Sequence, residues 1–529
     1  MPSHLSRRHC LQVLSAGGFF SHGPALAQRA GDDAANLNTY FGDLHNHGNV
    51  GYAQGSLRRS FEIARNHLDF FAYTPHAWWH DIRHFEGNIE DKWINGFAVT
   101  RARWPEVLKL AKEFDSPGRF VTLAGYEWHS TSLGDYHVIF PDLAAELYTP
   151  DDLKQLQRFA RERGCLMIPH HPAVRQGRRG ANFSQRDPQV SPLLEIYSEW
   201  GNAEQDRGPF GYIRHTEPGR WTRNTFQYAL AQGHRFGVVA STDDHLGYPG
   251  GYGEGLAAVL APELTRKAIL DALWGRRTYA VTGDRILVRF TLNGKPMGRE
   301  LPYTRERTLR VAVTGWDQVD WVEVIKNNRV INRVVPMDRE TSVRSWSAPV
   351  LARFEYGWPW PALGITRVCD WDFTIQLDNG VIEAVHPCFL PGPLEEERRD
   401  QISARTSRNV RVRSFTALRQ QIDDRSQKAV VLKMRGGADS RLTVTLDAPS
   451  RQSLRVTFGE LAESSEALYT GEFPRESALL NRIVFQEHYE TDFQIEDTGN
   501  GSQADWYYIR VIQANGQLAW SSPIWVEKA

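Results

Sequence analysis

The chain has 529 residues, with Lys+Arg 62 against Asp+Glu 63 and a formal charge of -1, so no global basic field points to nucleic acid. With 41% hydrophobic and 24% charged residues it has the composition of a globular protein, and its length exceeds one ordinary core, so two domains are expected, with room for a third. No stretch reaches the ~20 apolar residues of a membrane span, so the mature chain is expected to be soluble.

At the N-terminus, Ser6-Arg7-Arg8-His9-Cys10-Leu11 precedes a short apolar run from Val13 to Phe20, and Ala25-Leu26-Ala27 supplies small residues suited to cleavage. Residues 1–27 resemble a bacterial twin-arginine export signal, with Cys10 where phenylalanine is usual, and imply a periplasmic protein folded before export. After cleavage Cys165, Cys369 and Cys388 remain, too few for a disulfide framework or a cysteine zinc cluster. A bridge between Cys369 and Cys388 stays open.

From Asn38 to Thr282 short apolar runs alternate with amphipathic segments. Leu68–Tyr73, Phe120–Ala124, Cys165–Ile168, Leu193–Tyr197 and Phe236–Ala240 read as strands. Ser56–Asn66, Trp104–Phe114, Asp151–Arg163, Thr222–Gln232 and Leu264–Trp274 read as helices. Repeated strand-helix units predict a parallel sheet or barrel over residues 38–285, with its chemistry at the carboxyl ends of the strands. That is where the ionisable residues fall: Asp43-Leu44-His45-Asn46-His47, Thr74-Pro75-His76, Gly125-Tyr126-Glu127-Trp128-His129, Asp135-Tyr136-His137, Pro169-His170-His171-Pro172 and Thr242-Asp243-Asp244-His245. Side chains alternate along a strand, so His45 and His47 point the same way and can share one cation. The Arg175, Arg178, Arg179 cluster has the charge to hold an anion, and Trp78, Trp79, Trp128 and Trp200 could wall a pocket.

Beyond residue 285 the texture becomes β-rich. Ile286–Leu292 before Asn293-Gly294, Trp321–Lys326 before Asn327-Asn328, Trp371–Leu377 before Asp378-Asn379-Gly380, and later Leu442–Leu446, Leu454–Phe458 and Trp506–Ile512 read as strands and hairpins. Residues 286–529 are expected to form a sandwich-like accessory domain, with a charged, partly helical insertion near 395–422.

The order His-x-His, Thr-x-His, Gly-x-Glu, His, His-Pro, Asp-x-His resembles the PHP (polymerase and histidinol phosphatase) superfamily of metal-dependent phosphoesterases, and the chain as a whole resembles the DUF3604 group. The resemblance implies an α/β fold, a distorted β/α barrel followed by a β-rich C-terminal domain. It assigns His45 and His47 as the opening ligands, Glu127 as the bridge between two metals and Asp243 as completing the first site. His137 and His171 would serve the second site, His76 and His245 a third. The chain departs from the pattern in two places: Pro75 stands where many members have aspartate, and Gly48-Asn49-Val50-Gly51-Tyr52-Ala53 lacks a histidine expected there. The resemblance thus implies two or three divalent ions, of zinc, manganese or iron, since imidazole and carboxylate suit all three.

Paired ions of this kind generate a bridging hydroxide and neutralise phosphoryl charge. The expected function is therefore an exported metal-dependent hydrolase, a phosphoesterase, acting on a small anionic substrate. Glu127, Asp243, His129 and His245 are the expected catalytic residues, with His129 or His245 protonating the leaving oxygen. Arg207, Arg214, Trp78, His80 and His170 are the expected substrate contacts, the two arginines on a lid formed by Gly201–Arg223. Two alternatives are an amidohydrolase-like enzyme acting on amides, lactones or other esters, and a glycan- or envelope-binding protein with a structural metal.

Overall fold

The computed structural model describes residues 36–211, 219–336, 345–358, 368–391, 398–417, 426–473, 475–501 and 504–527. The expected signal at 1–27 and Arg214 lie outside them. The N-terminal half is built on β1 (Asn38–Asp43), β2 (Phe70–Tyr73) and β4 (Val121–His129), paired in parallel, with β3 (His76–Trp79) also parallel to the far half of β4. Antiparallel β5 (Tyr136–Ile139) and β6 (Leu166–Pro169) continue one edge, and antiparallel β10 (Leu256–Ala261) and β11 (Thr278–Val281) continue the other. Strands β7 (Leu193–Ser198) and β9 (Gly237–Ala240) pair in parallel within a separate three-stranded sheet with β8 (Gly201–Asn202). The predicted strands are thus met, but hydrogen bonds do not close them into a barrel. Parallel pairing stops at β4, because its neighbour β5 follows across a tight connection that permits only an antiparallel return.

All nine residues of β4 are buried, as a strand covered on both faces requires. Phe120, Ala124, Tyr126 and Trp128 share a core with Trp104, Val107, Leu110 and Phe114 of the helix Asp91–Phe114. Val121 and Leu123 pack on the opposite face with Ile269 and Leu273 of the helix Arg266–Trp274. By alternation Gly125, Glu127 and His129 continue that second face. Gly125 marks the change from core to site, since a Cβ there would lie 2.7 Å from Ile139 Cδ1.

The C-terminus returns to this sheet. Leu518–Ser521 pairs with β11, placing Trp520 opposite Ala280, and Asp505–Gln513 and Ile524–Glu527 extend the sheet further. The expected division at residue 285 therefore does not coincide with a break in hydrogen bonding. A four-stranded sheet holding Leu287–Leu292 and Glu306–Thr314 lies over these strands, and Phe290, Leu309 and Val311 share a core with Ile509 and Val511 in a sandwich-like arrangement.

The rest of the C-terminal half is an eight-stranded sheet around two long strands, Val368–Cys388 and Lys428–Ala448. The expected helical insertion near 395–422 is corrected here: Gln401–Arg405 and Asn409–Ala417 are strands of this sheet. The alternation of buried Val410 and Val412 with exposed arginine is a strand period, which the density of charge obscures. Cys369 and Cys388 are free and buried at opposite ends of one strand, so they do not pair.

Burying one large apolar side chain contributes about 1.5–3 kcal/mol, and a whole domain is stable by only ~5–15 kcal/mol. Losing Val511, Leu518, Trp520, Ile524 and Trp525 therefore removes an amount comparable to the total. A chain cut after residue 285 is expected to aggregate and to show no cooperative melting by circular dichroism. A sharp transition for that fragment would refute the shared sheet.

Candidate metal centre

The ends of β1, β2 and β9 are laced together by the main chain. Asp243 N–H donates to His45 O (2.8 Å), His47 N–H to Asp244 O (3.0 Å) and Thr74 N–H to Asn46 O (3.1 Å). Asp43 locks this crossing. Its Oδ1 accepts from the amides of His45 and Thr242, both at 3.1 Å, and its Oδ2 accepts from Thr242 Oγ1 (2.6 Å) and Gly250 N (3.0 Å). Strand register then sets Glu127 opposite both His76 on β3 and His137 on β5, while His170 and His171 follow directly from β6.

The side chains converge on Glu127. Asp243 Oδ1 lies 3.2 Å from His45 Nε2 and 3.0 Å from His47 Nε2, and the two imidazole nitrogens are 3.0 Å apart. Glu127 Oε2 lies 3.4 Å from both His47 Nε2 and His76 Nε2, and its Oε1 lies 2.7 Å from His170 Nε2 and 3.2 Å from His129 Nδ1. On the other side of His45, Glu195 Oε2 is 3.3 Å from Nδ1 and 3.4 Å from His137 Nε2. His245 closes the mouth with a side chain 29% exposed, its Nδ1 3.6 Å from Glu199 Oε1. Donor atoms held tetrahedrally at ~2.0–2.1 Å from one ion are themselves roughly 3.3 Å apart, which is the spacing of the His45, His47 and Asp243 donors.

The second histidine pair falls differently from expectation. His170, expected at substrate, stands with His45 and His137, whereas His171, expected beside His137, stands with His170 and Asp135, 3.3 Å from the carboxylate. A left-handed φ of 29° at His171 turns the chain between the two. The other expected substrate contacts lie outside the cluster. The Trp78 indole donates to Asp151 (2.8 Å), His80 Nε2 meets Ser130 Oγ (3.2 Å) over the Trp128 ring, and Arg207 is exposed beside Asp206. Instead Arg179 reaches the centre, with Nε 2.8 Å from Asp135 Oδ2 and its guanidinium 4.9 Å from the Trp79 ring centre. Tyr52 stacks on His76, with ring centres 3.6 Å apart, within the segment that lacks the family histidine.

Burial, and then the neighbouring imidazoles, hold His45 and His76 well below the usual histidine range. Burial also lowers His47 and His170, and brings His137 down to about 3. These rings are therefore neutral, with lone pairs available. Burial would raise Glu127, but His129, His45 and His47 hold it below the carboxylate range, whereas burial and then Glu127 push Asp243 well above it. Two carboxylates so close resist ionising together unless a cation lies with them. Glu127 Oε2, His47 Nδ1, His76 Nδ1 and both ring nitrogens of His137 and His170 have no hydrogen-bond partner among the described residues. Neutral imidazoles, carboxylates and orphaned buried donor atoms fit divalent ions.

Residues 68–150 and 251–295 match the family model described as a protein of unknown function (DUF3604), in keeping with the resemblance drawn from the motifs. An uncharacterized protein of Chlamydia pneumoniae is 26% identical over 257 residues, covering 44% of this chain and 41% of its own. A second, from Chlamydia trachomatis serovar D, is 28% identical over 298 residues, covering 47% and 46%. The chain thus spans less than half the length of these curated relatives. A Bacteroides vulgatus crystal structure of a two-domain protein containing a predicted PHP-like metal-dependent phosphoesterase is 14% identical, covering 56% of this chain and 80% of that one, at a TM-score of 0.29.

In the unfolded chain these histidines protonate near pH 6.5, while the folded chain resists protonation until far lower, so acid favours unfolding across that interval. Asp43, raised to about 6 by burial, and Asp243 and Glu195, also raised by burial, act in the opposite sense. Five imidazoles act in the first sense against these three carboxylates in the second. The metal-stripped protein is expected to lose melting temperature from pH 7.5 to 5, and the loaded protein to release its ions over the same range. A flat profile by calorimetry would contradict this.

Proposed function

We propose that the chain is a metal-dependent hydrolase of phosphate esters, its centre built around Glu127. The observation that carries this reading is the convergence of neutral, buried imidazoles on Glu127 and Asp243 at donor-atom spacing. His45, His47, Asp243 and Glu127 would hold one ion. His137 and His170, with His45 or Glu195, would hold a second, and His76 with His245 or His129 offers a third set. Divalent zinc, manganese or iron bound there would lower the pKa of water and neutralise charge on a phosphoryl oxygen.

The surrounding residues do the rest. Cys165 is buried, with its thiol pushed up to about 12, so it supplies no thiolate nucleophile. Burial would lower the pKa of His245, but Glu199, the Asp243 carbonyl and Glu127 together raise it, and it is the histidine at the mouth. Its protonated form is thereby favoured, and from the mouth it would give that proton to the leaving oxygen. Arg179, 20% exposed and anchored by Asp135, brings positive charge to the rim, where an anionic substrate arrives.

Purified protein is expected to contain divalent metal by elemental analysis and to hydrolyse phosphate esters from a panel that also contains lactones, amides and glycans. Turnover of lactones or amides alone would favour the amidohydrolase-like reading, and glycan binding without turnover the structural-metal one. Glu127→Gln is expected to lose metal and more than ~100-fold in kcat/KM, beyond the loss typical of partners that only orient ligands. A metallated, active E127Q variant would sink the proposal. His245→Gln is expected to cost ~10²–10⁴-fold on alkyl esters. It should cost little on nitrophenyl esters, whose leaving group needs no proton, and equal losses on both would remove His245 as the acid.

A further inference from the structure

The turn that carries Asp243 and His245 is rich in glycine. Gly247, Gly250, Gly253 and Gly255 all take left-handed φ between 68° and 120°, so the segment has little local preference of its own. Its conformation is fixed from outside. On one side Asp43 accepts from Gly250 N (3.0 Å), and His67 Nε2 meets Pro249 O (2.7 Å). On the other side two tyrosines enter the C-terminal sheet. Tyr248 N–H donates to Asp244 Oδ2 (2.6 Å), while the Tyr248 hydroxyl donates to Asp400. Asp400 in turn is gripped by Lys428 Nζ at 2.9 and 2.8 Å and by Ser414 Oγ (2.5 Å), all buried. Four residues on, Tyr252 N–H donates to Phe389 O (2.8 Å), and its hydroxyl meets Asp284 (3.0 Å) and Arg353 (3.2 Å).

We propose that Tyr248, held by Asp400 and Lys428 of the C-terminal sheet, is a positioning residue for the metal centre: it fixes the turn from which Asp243 and His245 reach the cluster. The proposal rests on reading the cluster as a metal centre. The distant sheet is then part of the site's framework. Asp400, paired with Lys428 Nζ through both carboxylate oxygens, makes a charge-assisted acceptor for the tyrosine hydroxyl, so the anchor is stiff. Asp244 carries the restraint to the ligands, because its main chain is bonded to His47 and its side chain accepts from Tyr248.

The test titrates metal-free protein with cobalt(II), reading affinity and the visible spectrum of the bound ion, with thermal melting alongside. Tyr248→Phe keeps the ring and removes only the hydroxyl. It is expected to weaken cobalt binding about 10-fold or more and to change the spectrum. Tyr489→Phe is the control, another buried tyrosine, whose ring shares a cluster with Tyr252 but whose hydroxyl donates to Pro349 O (2.8 Å) rather than to the turn. It is expected to lose comparable melting temperature with affinity and spectrum unchanged. Tyr252→Phe is the second variant, expected to weaken binding in the same way. Wild-type binding by either folded turn variant, or equal weakening by Y489F, would overturn the proposal while leaving the metal centre standing. A wild-type chain that takes up no cobalt would overturn both.

Discussion

His45, His47, His76, His137 and His170 share one solvent-shielded space with Glu127, Asp243 and Glu195, and that space disfavours charge of either sign. Burial drives the rings neutral, and burial together with the neighbouring acids makes Asp243 and Glu195 resist ionisation. A buried polar atom without a partner costs about 1–3 kcal/mol, and several such atoms together rival the ~5–15 kcal/mol by which a domain is stable. Divalent ions remove this cost at a stroke, because each turns several orphaned lone pairs into bonds. Zinc sites in small domains contribute ~10–16 kcal/mol, ample for the purpose.

The fold answers this constraint by supplying donors from many strands and fixing each strand end separately. Asp43 pins the crossing of β1 with the segment after β9, and register with β4 places His76 and His137 on either side of Glu127. Asp243 holds a left-handed φ of 53°, costly for a residue with a Cβ, and Arg179 holds one of 74°. Such conformations persist where surrounding bonds over-determine them, and the amide of Asp243 is indeed bound by His45 O. Strain at Asp243 thus lies beside His47, whose Nδ1 has no hydrogen-bond partner among the described residues, as expected where a site is organised for a ligand.

Much of this was legible in the sequence. Strand ends followed by His, Glu or Asp named nearly every member of the cluster, because alternation and strand polarity leave few other ways to gather such residues. Less legible was the choice within His170-His171, since one residue reverses the side-chain direction and the outcome depends on a left-handed turn that no residue type announces. Arg179 gave a charge signal without a position, as its place depends on Asp135 in the distant connection before β5. Glu195 carries a signal of its own, a carboxylate between apolar residues in a strand buried at every position. The helix read as starting at Trp104 begins at Asp91, because Pro105 marks a helix start in sequence while here the helix runs through it. The β-rich half read as strands except over residues 401–417, and its return to β11 rests on long-range pairing between residues such as Tyr279 and Ser521.

That return alters the meaning of the C-terminal half. A separately folded accessory module would be joined to the sheet that carries the cluster by a surface of ordinary contacts, and its removal would leave the centre intact. Here main-chain hydrogen bonds cross from β11 to Leu518–Ser521, and Glu204, in the segment after β8, is buried against Arg510, Trp520 and Tyr508. A carboxylate enclosed in that way is stable only with its guanidinium, so residues near the centre and residues near the C-terminus depend on each other for burial. The two halves are consequently one cooperative structure, and the geometry around Glu127 is set by strands drawn from both ends of the chain.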